Sequence, residues 1–318
     1  MSLAEYYLPS YIEKYEKEKP ECECHFCQTP EKNLPLVTRY WRDEVRRSAN
    51  IECSSICQRV LFDPEAFVLQ VSTVPSDTPD LLSKQDKLLN QLAINIAIHP
   101  AMNMELRLFG MGILVSKSLG FYDSDIDESD CNMAEIGDQI IDMAESGSLQ
   151  EQFLALPFIE LFQLEALRNL GHATLDLDVD PLSGMAMALK LNELATMSEA
   201  RLSEMLVELN QFWLDGATPF FDANPQVLQN YLIHRLYHDV FPASAGKHRS
   251  EVLLQLISDY FNLRMLCSLW MACGETLEQE SVVAIVSGYS RWKIASNTEN
   301  REDDGDRLLL QGLSLLVR

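Results

Sequence analysis

The chain has 318 residues, and 47% of them are hydrophobic, which is enough to bury a substantial core without disulfide staples. Its formal charge of −23 repels nucleic-acid phosphates and anionic membrane surfaces, so the favoured macromolecular partner is a basic or lysine-presenting surface, although charge alone is better explained by acidic residues that simply solubilise the protein. Eight cysteines are too few for a disulfide framework in a chain of this length; thiols held reduced, or used as metal ligands, are expected instead.

The first residues, Met1 to Tyr7, lack the basic start and apolar run of a secretory signal, which makes the cytoplasm the expected location. From Ala4 to Lys19, tyrosines mix with alternating Glu and Lys, predicting a short exposed helix ended by Pro20. The stretch Glu21-Cys22-Glu23-Cys24-His25-Phe26-Cys27 follows at once. Arg39 to Arg47 is the one concentrated basic patch. It could receive a carboxylate or phosphate, but Asp43 and Glu44 within it favour a solvated helix face. Cys57 to Val71 reads as an apolar helix that breaks up near Asp63-Pro64, or as a helix followed by a short extended piece. Val74 to Asp80, with Pro75, Pro79, Asp77 and Asp80, is a breaker and candidate linker. It separates a cysteine-rich, irregular N-terminal region, residues 1–73, from a helical domain, residues 80–318.

Beyond the linker, Leu88, Leu89, Leu92 and Ile96 recur at helical spacing, as do Leu106, Phe109, Ile113 and Leu114, predicting two antiparallel helices joined at His99-Pro100. The acidic run Asp123 to Asp130 interrupts, before an amphipathic segment carrying Ile136, Ile140, Ile141 and Met143. Leu149 to Gly171 is dense in Phe and Leu and is expected to be deeply buried, with a bend at Pro157. Thr174 to Asp180 alternates apolar and polar residues and suits a short strand or a loop. Leu202, Met205, Leu206, Leu209, Phe212 and Trp213 form a helical stripe closed by Gly216. Asn224-Pro225 supplies an N-cap and first residue for the next helix, with Leu228, Tyr231, Leu232 and Leu236 inward.

Val252 to Cys273 approaches membrane-spanning length, but Asp259 and Arg264 near its middle predict a buried helix of a globular protein. Another helix carries Val282, Val283, Val286 and Tyr289, Asn297 to Asp306 reads as a polar loop, and Leu308 to Leu316 is a last apolar segment. The fold class is mainly α, a multi-helix bundle of roughly nine to eleven helices by mean element and loop lengths.

Cys22-x-Cys24-x-x-Cys27 places three thiols within six residues, and Cys53-x-x-x-Cys57 can supply a fourth, a count that suits tetrahedral zinc or an iron–sulfur cluster. The spacing fits neither the paired C-x-x-C zinc pattern nor a ferredoxin run, and Cys57 also suits plain core packing. His234 and His238, four apart on a helix, share a face as a two-histidine metal grip would. Arg235 stands where the protease signature needs glutamate, and histidines near a helix C-terminus also serve its dipole. Both D-x-D-x-D runs, from Asp123 and Asp176, fail the calcium-loop pattern: Glu128 and Pro181 take the glycine position, Ala134 and Met187 the final glutamate position. No phosphate-binding glycine loop, dinucleotide fingerprint or nucleophile elbow is present.

From Ile51 onward the order of features resembles the flagellin lysine-N-methylase family, known as FliB-like proteins. The likeness begins at Ile51-Glu52-Cys53-Ser54-Ser55-Ile56-Cys57-Gln58-Arg59-Val60-Leu61, similar to that family's Ser-Cys-Pro-Glu segment leading into an aliphatic helix. It continues through Leu88 to Leu114, through Leu228-Gln229-Asn230-Tyr231-Leu232 with Leu236 and Phe241-Pro242, and through Val282 to Arg291. The chain departs from the family pattern at its N-terminus and at Ser54 and Ser55, where the family has proline and glutamate.

The resemblance implies S-adenosylmethionine-dependent methyl transfer to surface lysines of flagellin, and cysteines associated with an iron–sulfur cluster, with zinc as the alternative. Only Cys53 carries over by position; Cys22, Cys24 and Cys27 complete the candidate ligand set without a one-to-one match. No catalytic residue is indicated: Tyr231 and Tyr237 could contribute, though packing explains them as well. The rival reading is a non-enzymatic helical module that binds a basic protein through its acidic face.

Overall fold

The computed structural model describes residues 2–18, 22–28, 35–119, 126–243, 247–295 and 305–317. The chain divides into two compact units, each assembled from three separate stretches.

The first unit takes Met1–Leu82, Arg168–Tyr231 and Leu263–Thr298. It opens with strand β1 (Ser2–Pro9) and helix α1 (Ser10–Glu18), so the single helix expected over Ala4 to Lys19 is corrected. Tyr6 and Tyr7 favour the pleated conformation, and only after Pro9 does the Glu/Lys pattern act at helical spacing, with Lys17 Nζ 2.5 Å from Glu13. A four-residue helix, α2 (His25–Gln28), precedes β2 (Leu36–Tyr40) and β3 (Glu44–Ala49). The basic patch is therefore an antiparallel hairpin and not a helix face, with Arg39 opposite Arg46 and Thr38 opposite Arg47. Two of its arginines are taken by the unit's own groups: Arg46 pairs with Glu44, and Arg47 pairs with Glu16 and donates to Thr38 Oγ1.

Helix α3 (Ser54–Phe62) and β4 (Leu69–Ser76) complete this stretch. The sheet order is β2-β3-β1-β4, with β1 parallel to β3 and antiparallel to β4. The expected N-terminal irregularity thus includes an ordered sheet, and the predicted breaker begins inside β4. Tyr11 and Ile12 of α1 are buried with Ile56, Val60 and Leu61 of α3, and α14 (Gln279–Ala295) packs along α3.

Between them in sequence come α9 (Pro181–Thr196), capped by the Asp180 carboxylate, and α10 (Glu199–Phe212), which buries Leu202, Met205, Leu206 and Leu209. The stripe does not stop at Gly216. It runs into a π-helical turn (Trp213–Ala217) and α11 (Thr218–Ala223). Asn224 closes α11, its side chain donating to Phe220 O, and is not a side-chain cap for α12 (Gln226–His238).

The second unit takes Ser83–Leu167, Leu232–Asn262 and Glu299–Arg318. Helices α4 (Lys84–Ile98) and α5 (Met104–Ser118) form the expected pair, capped by Ser83 and Asn103. Helix α6 (Ile126–Ser146) begins within the acidic run, so Ile126 to Asp130 is helical and not a loop; Asp123 to Asp125 lie outside the described residues. A Cβ at Gly137 would meet Leu92 Cδ2 at 2.5 Å, so glycine is what lets α6 approach α4. Leu149 to Gly171 splits into α7 (Ser148–Leu154) and α8 (Glu160–Leu170). It is not deeply buried throughout, since Leu154, Phe158 and Leu161 are 72%, 52% and 52% exposed. The buried Asn90 amide donates to Leu236 O at 2.9 Å and Phe241 O at 2.7 Å. The last helix, α15 (Gly305–Ser314), buries Leu308 and Leu309, and Gln163 donates to Ser314 O at 2.8 Å. Of the polar loop expected over Asn297 to Asp306, residues up to 304 lie outside the described residues, while Gly305 and Asp306 begin α15.

Helix α13 (Arg249–Ala272) is the long apolar segment. Asp259 and Arg264 are buried on it and engaged, Asp259 by Arg235 at 3.4 Å and Arg264 by Asn210 at 3.3 Å. Among the described residues no helix is long and apolar enough to cross a membrane. The architecture is mainly α, as the periodicity predicts, with more and shorter helices than average lengths suggest and with one small sheet.

Candidate metal centre

The four thiols of Cys22, Cys24, Cys27 and Cys53 converge in the first unit, with their sulfurs all within 4.8 Å of one another. Two backbone devices bring them there. After Cys24 the chain turns tightly into α2, with the N–H groups of Cys27 and Gln28 donating to Cys24 O at 3.0 and 3.2 Å. That turn carries Cys27 back beside Cys24. Cys53 stands at the N-terminal boundary of α3 in extended conformation, and its carbonyl accepts the first helical bond from Cys57 N at 2.8 Å. Its sulfur reaches back to Cys27 Sγ at 3.5 Å and Cys22 Sγ at 3.6 Å. Cys24 and Cys53 are buried, while Cys22 and Cys27 are half-buried.

Crowding four thiols makes it hard to ionise all of them. Burial works against the Cys24 thiolate, but the backbone N–H groups of Cys27 and Ser54 and the Cys22 and Cys27 thiols outweigh it, holding Cys24 below the usual thiol range. Burial pushes the Cys27 thiol up to about 12, against a hydrogen bond with Cys53 and reinforced by charge on Cys22 and Cys24. Cys53 is driven up by burial too, and by charge on the other three. Tyr15 of α1 responds as well, moved to about 12 by burial and then by charge on Cys53, Cys27 and Cys22. A divalent cation among the sulfurs reverses this balance, because thiolates repel one another only until a shared positive charge holds them.

Fitted to a single tetrahedral ion, metal–sulfur bonds of about 2.3 Å put sulfurs about 3.8 Å apart. The Cys53 distances of 3.5 and 3.6 Å lie close to that spacing. A cluster that ties each thiolate to a different iron holds its sulfurs farther apart.

The other candidates do not join this group. Cys57 is one turn further along α3, fully buried, with its thiol 3.8 Å from Val283 O, so it is core. His234 and His238 do share a face, their rings stacked 5.1 Å apart, but among the described residues they belong to no set of three ligands. Tyr231 and Tyr237 are buried in packing positions.

What the sequence did not indicate is the surrounding layer. The segment from Thr174 to Asp180 is a loop, and it lies against the thiol site. His25 Nδ1 is 3.3 Å from Asp176 Oδ2, and Ser54 Oγ donates to Asp178 Oδ2 at 2.5 Å. Arg291 of α14 donates to Glu52 O at 2.8 Å, to Asp176 O, and to Asp178 Oδ2 at 3.3 Å. The second D-x-D-x-D run was the one available signal: Asp176 faces a histidine, Asp178 a serine and an arginine, and Asp180 caps α9.

Fold and site together define a mainly helical protein with a four-thiol cluster of metal-ligand geometry on its N-terminal stretch. The chain belongs to the family of the FliB lysine N-methylase C-terminal domain, whose profile matches residues 90–305. It is similar to curated proteins named Lysine-N-methylase from two organisms. The one from Salmonella choleraesuis is 20% identical over 289 residues, covering 83% of this chain and 66% of the relative. The one from Salmonella typhimurium is 20% identical over 284 residues, with the same coverage. The chain thus spans about two thirds of the length of these relatives. No solved structure gives a significant match.

Proposed function

We propose that this chain is a protein-lysine N-methylase that takes its methyl group from S-adenosylmethionine and delivers it to surface lysines of flagellin or a similarly lysine-rich protein. The observation that carries the reading is the family match over residues 90–305. The chemistry it requires is compact. A neutral lysine amine attacks the methyl carbon in line with the departing sulfur. The nitrogen–carbon bond forms as the sulfur–carbon bond breaks, the sulfonium leaves as a neutral thioether, and the methylated amine gives up a proton to water. Catalysis then depends mostly on holding donor and amine in line and on keeping the amine unprotonated.

The charge of −23 supports a basic substrate surface, since it raises the local concentration of lysine-bearing partners. An open groove of about 440 Å³ in the second unit has the size of a small-ligand site. Ile113, Ile140, Met143 and Leu313 give it apolar walls, and Lys117 and Asp306 stand among its polar groups, a mixture that suits an amphipathic, charged donor. The four-thiol centre of the first unit is read as a structural site for one tetrahedral ion of the zinc type, in preference to a cluster, because its sulfurs are drawn so close together. Such thiols stay available in a reducing compartment, which supports a cytoplasmic setting.

The test is to incubate the purified full chain with S-adenosylmethionine and flagellin and to read methyl additions on lysines by mass spectrometry, beside calorimetric donor binding. Methyl addition that requires both chain and donor supports the reading. No binding and no addition sinks it and leaves the acidic interaction module standing. Elemental analysis of the same protein separates the metal alternatives: zinc without labile sulfide supports the single ion, whereas iron with stoichiometric sulfide refutes it.

A further inference from the structure

The two ligand-bearing stretches, 22–27 and 53, are separated by a long run of sequence, and one loop touches both. Asp176 meets His25, the residue after Cys24, at 3.3 Å. Asp178 accepts from Ser54, the residue after Cys53, at 2.5 Å. Arg291 donates to the carbonyl of Glu52, the residue before Cys53, and holds the same loop through Asp176 O and Asp178 Oδ2. Ser287 of α14 adds a hydroxyl 3.4 Å from Ser54 Oγ. The loop can lie this close only because residue 288 lacks a side chain: a Cβ there would stand 2.7 Å from Leu177 Cδ2 and 2.9 Å from Asp176 O.

We propose that Asp176, Asp178 and Arg291 are positioning residues that lock the two halves of the four-thiol site in register, so that affinity for the cation is set by this outer layer as well as by the cysteines. The inference rests on the metal reading given above. Its physical basis is that a ligand set split between two segments loses affinity when either segment drifts, and each ligand-bearing segment here is tied at a residue adjoining its cysteines. Arg291 is the hub. Its side chain is 11% exposed and its bond to Glu52 O is partly buried, while its bonds to Asp176 O and Asp178 lie at the surface, so the three act as a set and not as one strong pair.

The experiment measures zinc affinity of the full chain by competition with a chromophoric chelator, together with the thiolate absorption of the cobalt-substituted protein. Arg291→Ala, Arg291→Lys, Asp178→Ala and Asp178→Asn are compared with wild type, and with Arg201→Ala, which removes an exposed cation paired with Glu204 and Glu208. Removing outer-layer partners of metal ligands weakens binding by roughly 10–100-fold. That loss is expected for Arg291→Ala and Asp178→Ala, with an altered cobalt spectrum and unchanged helical content. Asp178→Asn keeps an acceptor for Ser54 and is expected to recover much of the affinity. Arg291→Lys is expected to recover little, because an ammonium cannot serve Glu52, Asp176 and Asp178 together. Arg201→Ala is expected to bind as wild type.

Folded variants that all bind with wild-type affinity and spectrum overturn the positioning role while leaving the metal reading intact. Wild-type protein that binds neither zinc nor cobalt overturns both. Should Arg291→Ala fail to fold, the Asp178→Ala and Asp178→Asn pair decides: equal affinities for the two refute the proposal.

Discussion

Replacing Gly288 by alanine tests how closely the loop at Asp176 is held on α14. Two effects oppose each other. Alanine in a helix interior is favoured over glycine by about 1 kcal/mol. Against this, the new methyl would meet Leu177 Cδ2 at 2.7 Å and the Asp176 carbonyl at 2.9 Å, and one of these is backbone that cannot rotate away. Forcing a methyl into such a contact costs about 1–3 kcal/mol. The net expectation for Gly288→Ala runs from neutral to a loss of about 2 kcal/mol, by difference of those two figures. Gly184 of α9 isolates the first effect, because a Cβ there would meet Val179 Cγ2 at 3.5 Å, an ordinary contact. Gly184→Ala is therefore expected to stabilise by about 1 kcal/mol. Urea denaturation of both variants, followed by circular dichroism, reads the gap directly. If both stabilise equally, the loop is not pressed against α14 and the close approach is refuted. If the gap appears, zinc affinity is expected to fall in Gly288→Ala and to hold in Gly184→Ala, since only the former pushes Asp176 away from His25.

Other expectations follow from single contacts. Cys53→Ser is expected to abolish bound metal, whereas Cys57→Ser, whose sulfur is buried against Val283 O, keeps full stoichiometry by elemental analysis; the reverse pattern would mean that the ligands are misassigned. Zinc affinity is expected to rise with pH across the neutral range. Burial pushes the Cys27 thiol up to about 12 and raises Cys53 as well, so both hold protons at neutral pH and must release them on binding. Proton release in weakly buffered titrations checks the sign, and a pH-independent affinity would contradict it. Asn90→Ala removes a donor from the buried carbonyls of Leu236, which keeps the Phe241 N–H at 3.0 Å, and of Phe241, and an unsatisfied buried group costs about 1–3 kcal/mol. Urea denaturation should show a loss of at least that size, and a loss below about 0.5 kcal/mol, the scatter of ordinary surface changes, would contradict it.

The helical periods were legible because burial repeats with them. Leu89, Leu92 and Ile96 of α4 and Leu202, Met205, Leu206 and Leu209 of α10 face inward as their spacing requires. The strands were not. In β4 the alternating Leu69-Gln70-Val71-Ser72 leaves its apolar residues exposed, and in β3 Glu44, Arg46 and Ser48 are buried beside Val45 and Ala49, so neither strand shows a buried apolar face. Those polar residues are tolerated inside because each sheet position supplies a partner, as Glu44 does for Arg46. Leu154, Phe158 and Leu161 misled in the opposite direction: dense apolar composition implied burial, but they lie on exposed faces of the segment around α7 and α8. The grouping of the four thiols was suggested by cysteine spacing, and the geometry of α3 is what separates Cys57 from Cys53.

The outer layer of the thiol site could not be read at all, and the reason is topological. Cys22, Cys24, Cys27 and Cys53 precede the matched family region, whereas Asp176, Asp178, Gly288 and Arg291 fall inside residues 90–305. Neither stretch is complete as a site: the first holds the sulfurs without the groups that tie its halves together, and the second holds those groups without a ligand. Contacts that join residues more than 100 positions apart, such as Ser54 with Asp178, leave no mark in local spacing. The four thiols are therefore presented by a short N-terminal stretch against the loop at Asp176 and α14. On the proposed metal reading, a change in the loop at Asp176 or in α14 is expected to alter cation affinity without altering a single cysteine.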